Sequence, residues 1–233
     1  MNQDDFIKEV NALGIEVTKD KLDKLEKYYE MLIEYNKFMN LTGITDKEQV
    51  YLKHFYDSIT LSKIIDLNKE ESLCDLGSGA GFPGIVLKIF YPNLNITLID
   101  SLNKRINFLN DVIKELNLRN IEAIHVRIED FAKENIERFD VVTARAVAPL
   151  NILLELGINL VKIGKYFIAM KGNIINEPNF SNSIEKLNCK IDKIDNFKLP
   201  VEESERTLIK ISKLSSTPKL FPRKYSVIKA KPL

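Results

Sequence analysis

Tryptophan is absent from the 233-residue chain, cysteine occurs twice, and glycine only nine times. Cys74 and Cys189 lie far apart with no metal-ligand spacing, which argues against a disulfide framework or a cysteine-built metal centre; both read as small buried hydrophobes. No apolar run reaches the roughly 20 residues of a membrane span, and no charged-then-apolar leader opens the chain. The expectation is a soluble, cytoplasmic protein without a metal. The 34 basic and 33 acidic side chains leave a net charge of +1, so composition alone points to no nucleic-acid partner. What is present is an apolar fraction of 45%, enough for a sizeable core in one domain with an extension.

The few glycines are concentrated. Leu73-Cys74-Asp75-Leu76-Gly77-Ser78-Gly79-Ala80-Gly81-Phe82-Pro83-Gly84 reads as a short buried strand, an acid, three glycines at alternate positions and a helix opening at Pro83. Alternate glycines let the backbone turn sharply and approach a ligand, since no Cβ blocks either move. Pro83 suits a first helical turn, where its missing N–H costs nothing. This junction is built to hold a cofactor. Gly79-x-Gly81-x-x-Gly84 also satisfies the dinucleotide pattern, in which a pyrophosphate sits on the helix N-terminus. Asp75 argues the other way: a carboxylate at the strand end repels a pyrophosphate and suits the amino group of S-adenosylmethionine. S-adenosylmethionine is the expected cofactor, with a dinucleotide, and hence a nicotinamide-dependent oxidoreductase, as the alternative.

Residues 1 to about 66 read as helical. Leu22, Leu25, Tyr29, Leu32, Ile33 and Asn36 recur at helical spacing and predict one long helix from Thr18 to Met39, after a shorter one over Asp4 to Leu13. Thr45 and Glu48 suggest a capping box for a further helix through Tyr51 to Ser62. From Ser72 strands and helices alternate. Strands are predicted at 72–76, 95–99, 121–126, 139–143 and 165–170, with an acidic loop at Glu129-Asp130. Two late strands near 191–197 and 206–212 are placed to pair antiparallel at a sheet edge. The alternation predicts an α/β fold with a mostly parallel sheet covered on both faces.

Asp75, Asp100, the 128–130 loop and Arg145 all fall just past predicted strand ends, where open α/β sheets bind ligands. Asp100 suits the two hydroxyls of an adenosine ribose, its bland alternative being a helix cap. Ile128 and Glu129 suit an adenine face and its exocyclic amine. Phe82 either packs on the ligand or anchors the helix. Arg145, flanked by apolar residues, is expected to contact a cofactor carboxylate or a substrate phosphate. Lys171 is expected to face the same cleft, and His125 to flank the core. His54, Asp57 and Ser58 do not have triad spacing, because triad members converge from separate segments; capping or substrate contact is expected instead. After Glu205 no acidic residue follows, whereas eight Lys and Arg do, Arg223 and Lys224 among them: a candidate phosphate-binding surface or a solvated basic tail. No Pro-Pro-aromatic sequence follows the fourth predicted strand, and no Pro-Cys pair supplies a thiolate. A target with its own exposed lone pair, such as a purine ring nitrogen, needs neither.

Asn36-x-x-x-Asn40-Leu41-Thr42, His54-Phe55-Tyr56-Asp57-Ser58, the Asp75-to-Gly84 loop, Thr143 to Ala148, Met170-Lys171-Gly172 and Phe221-Pro222-Arg223 together resemble the signature blocks of the glucose-inhibited division protein B family, in family order. Tyr35 stands where the family often has Trp. The resemblance implies a class I methyltransferase fold, Rossmann-like with a seven-stranded sheet, over 67–233, with an N-terminal helical extension at 1–66. It implies methylation of a guanine N7 in 16S rRNA of the small ribosomal subunit. S-adenosylmethionine is expected at Gly77, Phe82, Ile128, Glu129 and Arg145, with Asp75, Gly79, Gly81 and Asp100 completing the site. Arg145 and Lys171 are the candidate catalytic residues. Asn40, His54, Asp57, Ser58, Arg223 and Lys224 are the candidate RNA contacts. A non-catalytic ribosome-assembly factor retaining the cofactor pocket is the remaining alternative.

Overall fold

A computed structural model describes residues 1–175 and 177–233. Its sheet has seven strands: β1 (Ser72–Leu76), β2 (Asn95–Asp100), β3 (Ile121–His125), β4 (Phe139–Arg145), β5 (Val161–Lys171), β6 (Cys189–Lys198) and β7 (Glu205–Lys213), in the order β3-β2-β1-β4-β5-β7-β6. The first five run parallel, and β7 pairs antiparallel with both β5 and β6. The strand order reverses between β1 and β4. There the C-terminal ends of the two strands diverge toward crossovers on opposite sides and open a crevice.

Strand parity divides the core in two. Leu73, Leu98, Val141 and Ile168 pack on one face, whereas Cys74, Leu76, Ile99, Val142 and Phe167 pack on the other. The first face is covered by α1 (Gln3–Ala12), α2 (Lys19–Met39), α3 (Lys47–Val50), α4 (Asp57–Ile59), α5 (Gly84–Phe90) and α6 (Asn103–Glu115); the second by α7 (Ile128–Glu134), α8 (Leu150–Gly157) and α9 (Ser181–Lys186). A last helix, α10 (Tyr225–Ala230), packs on α8. Among the described residues no helix is long and apolar enough to cross a membrane, and no cluster of three or more His, Cys, Asp or Glu is arranged for a metal.

Local sequence explains most of the boundaries. Thr18 caps α2 by accepting the Lys21 N–H, and Asn40 ends it in the left-handed conformation that an Asn tolerates. Four details differ from expectation. Asp46, not Thr45, caps α3: its carboxylate accepts the N–H of the third helical residue, Gln49, at 3.0 Å. The stretch after it is a π-helical turn over Tyr51–Tyr56 followed by short α and 3₁₀ turns, not one α-helix. The acidic 129–130 segment is the first turn of α7, where carboxylates complement the helix dipole. The end of the basic tail folds as α10.

Candidate functional site

The glycine loop joins β1 to α5. Asp75 has the parity of Leu73, so it points beneath the loop and is fully buried instead of lining the crevice. Its Oδ2 accepts the Gly84 N–H at 2.9 Å, and its Oδ1 has no partner. Burial pushes this carboxyl up to about 6, against the opposing pull of the Gly84 N–H. Four of the loop's own donors are taken as well. Ser78 donates to the Ile99 carbonyl, Gly81 and Phe82 to the Ser78 carbonyl, and Gly79 to Asp100 Oδ2 at 3.0 Å. A pyrophosphate needs such N–H groups free. Asp75 thus disfavours a dinucleotide by filling the anion position at the helix end, not by facing the ligand.

Beside the loop lies a cleft of about 330 Å³, lined by Gly77, Asp100, Arg105, Ile128, Glu129, Val147 and Tyr225 among others. Asp100 ends β2 with Oδ1 on the Leu102 N–H (2.9 Å) and Oδ2 on Gly79 and Arg105 (3.2 Å), so it caps the turn and also presents to the cleft. Glu129 is buried, with Arg127 at 3.5 Å. Gly77 sits at φ +65°, and a Cβ there would lie 2.9 Å from Val147 Cγ2. Gly81, at φ +98°, has another duty: a Cβ would strike the Tyr28 hydroxyl, which donates to the Ala80 carbonyl and ties α2 to the loop.

A second cavity, of about 320 Å³, adjoins the first at Ala146 and is lined by Lys53, His54, Asp57, Arg145, Lys171, Phe197 and Arg206 among others. Arg145 has the parity of Val141, hence faces the helices that carry His54 and Asp57, and places its guanidinium here instead of in the first cleft. Its Nη1 donates to Asp57 Oδ2 at 2.8 Å and to the Lys53 carbonyl at 3.0 Å. Arg206 Nε holds the other oxygen, Oδ1, at 2.9 Å. His54 stacks on Phe82 with ring centroids 4.4 Å apart, lies 3.4 Å from Arg145 Nη2 through Nδ1, and pairs with Thr42 Oγ1 at 2.8 Å through Nε2. Burial and the Arg145 cation push His54 down to about 3, so the ring is neutral. Lys171 Nζ donates to Glu177 Oε1 (2.8 Å) and to the Ala148 carbonyl (2.7 Å), pinning the segment between the cavities.

Several expected contacts are placed elsewhere. The Phe82 side chain is buried among Tyr28, Phe55 and His54 and anchors the loop. Asp57 and Ser58 are buried, and the Ser58 hydroxyl is spent on the His54 carbonyl at 2.6 Å, so Ser58 has no surface to offer an RNA. Arg223 is forked onto Glu155, whereas Lys224 and Asn40 are exposed. His125 is exposed at the end of the edge strand β3 and does not flank the core. Phe197 and Tyr225 do not stand out in the sequence, and Arg206 does so only as the first of the basic residues after Glu205, not as part of a cavity. For Arg206 a signal existed: it shares the parity of Leu208, which packs on the same face as Val141.

Comparison with known proteins bears on the family and the fold. The family model described as "GidB: rRNA small subunit methyltransferase G" matches residues 21–208. A protein of Lysinibacillus sphaericus named ribosomal RNA small subunit methyltransferase G is 46% identical over 100% of both chains, and one of the same name from Macrococcus caseolyticus is 49% identical over 100% of this chain and 99% of its own. Among solved structures, TYW2 of M. jannaschii in complex with AdoMet superposes with a TM-score of 0.56 at 16% identity, covering 74% of this chain and 80% of that one. A SAM dependent methyltransferase from Aquifex aeolicus gives 0.53 at 16% identity, covering 74% and 97%. The fold is thus that of the class I methyltransferases, and with full-length relatives at this identity the chain belongs to the GidB family, rRNA small subunit methyltransferase G.

Proposed function

We propose that this protein is an S-adenosylmethionine-dependent methyltransferase of the cytoplasm that methylates N7 of a guanine in the 16S rRNA of the small ribosomal subunit. The observation that carries this reading is the pair of cavities meeting at Ala146, one suited to the methyl donor and one to a base. Family membership supports the substrate class.

The donor set fits S-adenosylmethionine. Asp100 and Glu129 would accept from ribose hydroxyls and the adenine amine, Ile128 would cover the adenine, and Gly77 would admit the ligand against bare backbone, while the Gly79 N–H holds Asp100 in place. Asp75 would act without touching the ligand: its unpartnered Oδ1 leaves a buried negative charge beneath the loop whose field favours the cationic amino end on the far side. The cofactor supplies an electrophilic methyl group carried on a positive sulfur.

The residues of the second cavity position the acceptor. N7 of guanine has an in-plane lone pair, so no general base is required and catalysis reduces to alignment and charge balance. Arg145 presents a rigid donor fork suited to the neighbouring guanine carbonyl. Lys171 holds the wall between donor and acceptor. The neutral His54 cannot protonate N7. Residues 1–66 serve as a helical extension that brings Lys53, His54 and Asp57 to a methyltransferase domain at 67–233. Exposed Asn40 and Lys224 remain as RNA contacts.

Incubation of the purified protein with methyl-labelled S-adenosylmethionine and small subunits tests this. Label in 16S rRNA is expected, and Arg145→Lys should reduce it by at least tenfold. A protein that binds the cofactor yet transfers no label to 16S rRNA, naked or in subunits, would refute the assignment.

A further inference from the structure

The family match ends at residue 208, yet the segment beyond it reaches the cofactor cleft at Tyr225. Arg223 fixes that segment. Its Nε and Nη2 fork onto Glu155 of α8 at 2.7 and 2.6 Å, and its backbone N–H adds a third bond to the same carboxylate at 3.1 Å. Glu155 is fully buried, so the pair is shielded from solvent on the carboxylate side. Farther along, Ile228 packs into the interior, and the Leu233 carbonyl accepts the Ser183 hydroxyl at 3.3 Å. The tail is therefore anchored before, within and after α10.

Tyr225, the first residue of α10, is held by these anchors without serving as one. It is 37% exposed, and among the described residues its hydroxyl has no partner. Ile228 does the packing. Tyr225 instead lines the cleft alongside Leu156, Val126, Ile128 and Val147. The carboxylates Asp100 and Glu129 make part of that cleft polar, suited to hydroxyls and an amine; the apolar remainder suits a flat heterocycle. We infer that Tyr225 is a cofactor-binding residue whose ring covers the adenine of S-adenosylmethionine; the inference rests on the cofactor reading above. Aromatic stacking on a base supplies affinity without polar contacts, which fits a ring with a free hydroxyl.

Calorimetric titration with S-adenosylhomocysteine tests this on the full chain. Tyr225→Ala is expected to raise Kd about tenfold, and Tyr225→Phe to leave it within about twofold. Adenosine binding should weaken in step. Because the chain has no tryptophan, Tyr225→Trp places a single indole at the cleft, and saturating S-adenosylhomocysteine should quench it. Unchanged thermal melts check that each variant folds. An unchanged Kd for Tyr225→Ala, or an indole indifferent to saturating ligand, would overturn the inference. So would weakened rRNA binding at unchanged Kd, which would assign the ring to the RNA. If the wild type itself binds no S-adenosylhomocysteine, the cofactor reading fails first.

Discussion

Asp75 and His54 make the ligand-free protein respond to pH in opposite senses. The Asp75 carboxyl is pushed from 3.8 up to about 6, so the folded chain keeps this proton when the unfolded chain has lost it. Stability on its account is full below about 4, falls as pH rises through 6, and is lower by roughly 2–3 kcal/mol at neutral pH. His54 is pushed from 6.5 down to about 3, so the unfolded chain binds that proton first, and stability is lost as pH falls from 6.5 toward 3. Asp75→Asn should leave a stability that only rises over pH 4 to 6.5, and should make the ligand-free protein more stable at pH 7 while weakening S-adenosylhomocysteine binding at least tenfold. Urea midpoints across that range, with calorimetry at pH 7, measure both. An Asn variant that binds as tightly as wild type would contradict the role given to this carboxylate. At this scale the sequence showed which residues matter and not where they point. Asp75 and Arg145 stand out in the sequence as strand-end charges, but their direction follows from counting parity along β1 and β4 against Leu73 and Val141. That count was available in the sequence. The partners that make them intelligible, Gly84 N–H and Asp57, were not.

The elements are held to one another by a few close approaches. A Cβ at Gly81 would lie 2.6 Å from both Tyr28 Oη and Ile85 Cγ1 at a φ of +98°, so Gly81→Ala should destabilise the protein by about 2–4 kcal/mol by prising α2 from the loop. Gly79→Ala has room and should cost only about 1–2 kcal/mol for its φ of +59°. Equal costs in urea denaturation would contradict the packing described. Arg223→Ala leaves the Glu155 carboxylate buried without its partner, and a loss of about 3–5 kcal/mol is expected. Calorimetric melts check this, and a neutral effect would mean the tail is not anchored. The strands are legible because runs such as Ile96 to Ile99 and Val141 to Ala144 are β-branched or apolar throughout, as strands buried on both faces require. The helices α7 and α10 are not. Both are short, and their stability comes from packing Phe131 and Ile228 into a core that local sequence does not describe.

Across the whole molecule, one buried carboxylate connects three parts of the chain. Asp57 from the N-terminal helices receives Arg145 of β4 and Arg206 of β7, closing the base cavity from both sides. The pairing also reduces the charge available to an RNA. Of the cations after Glu205, Arg206, Lys213 and Arg223 are committed to internal partners, while Lys219, Lys224, Lys229 and Lys231 stay exposed. Replacing those four with Gln should weaken 16S rRNA binding and flatten its dependence on salt by up to about one slope unit per lost phosphate contact. A slope identical to wild type in filter-binding titrations would remove the tail from the interface.

The central claim is a guanine held in the cavity beside a bound methyl donor. Its most direct test maps N7-methylguanine in 16S rRNA from a strain lacking this protein. One site should lose its methyl group, regain it with the wild-type chain, and stay unmodified with Asp100→Ala or Arg145→Ala. An unchanged methylation pattern in the deletion strain, or full restoration by either variant, would contradict the account.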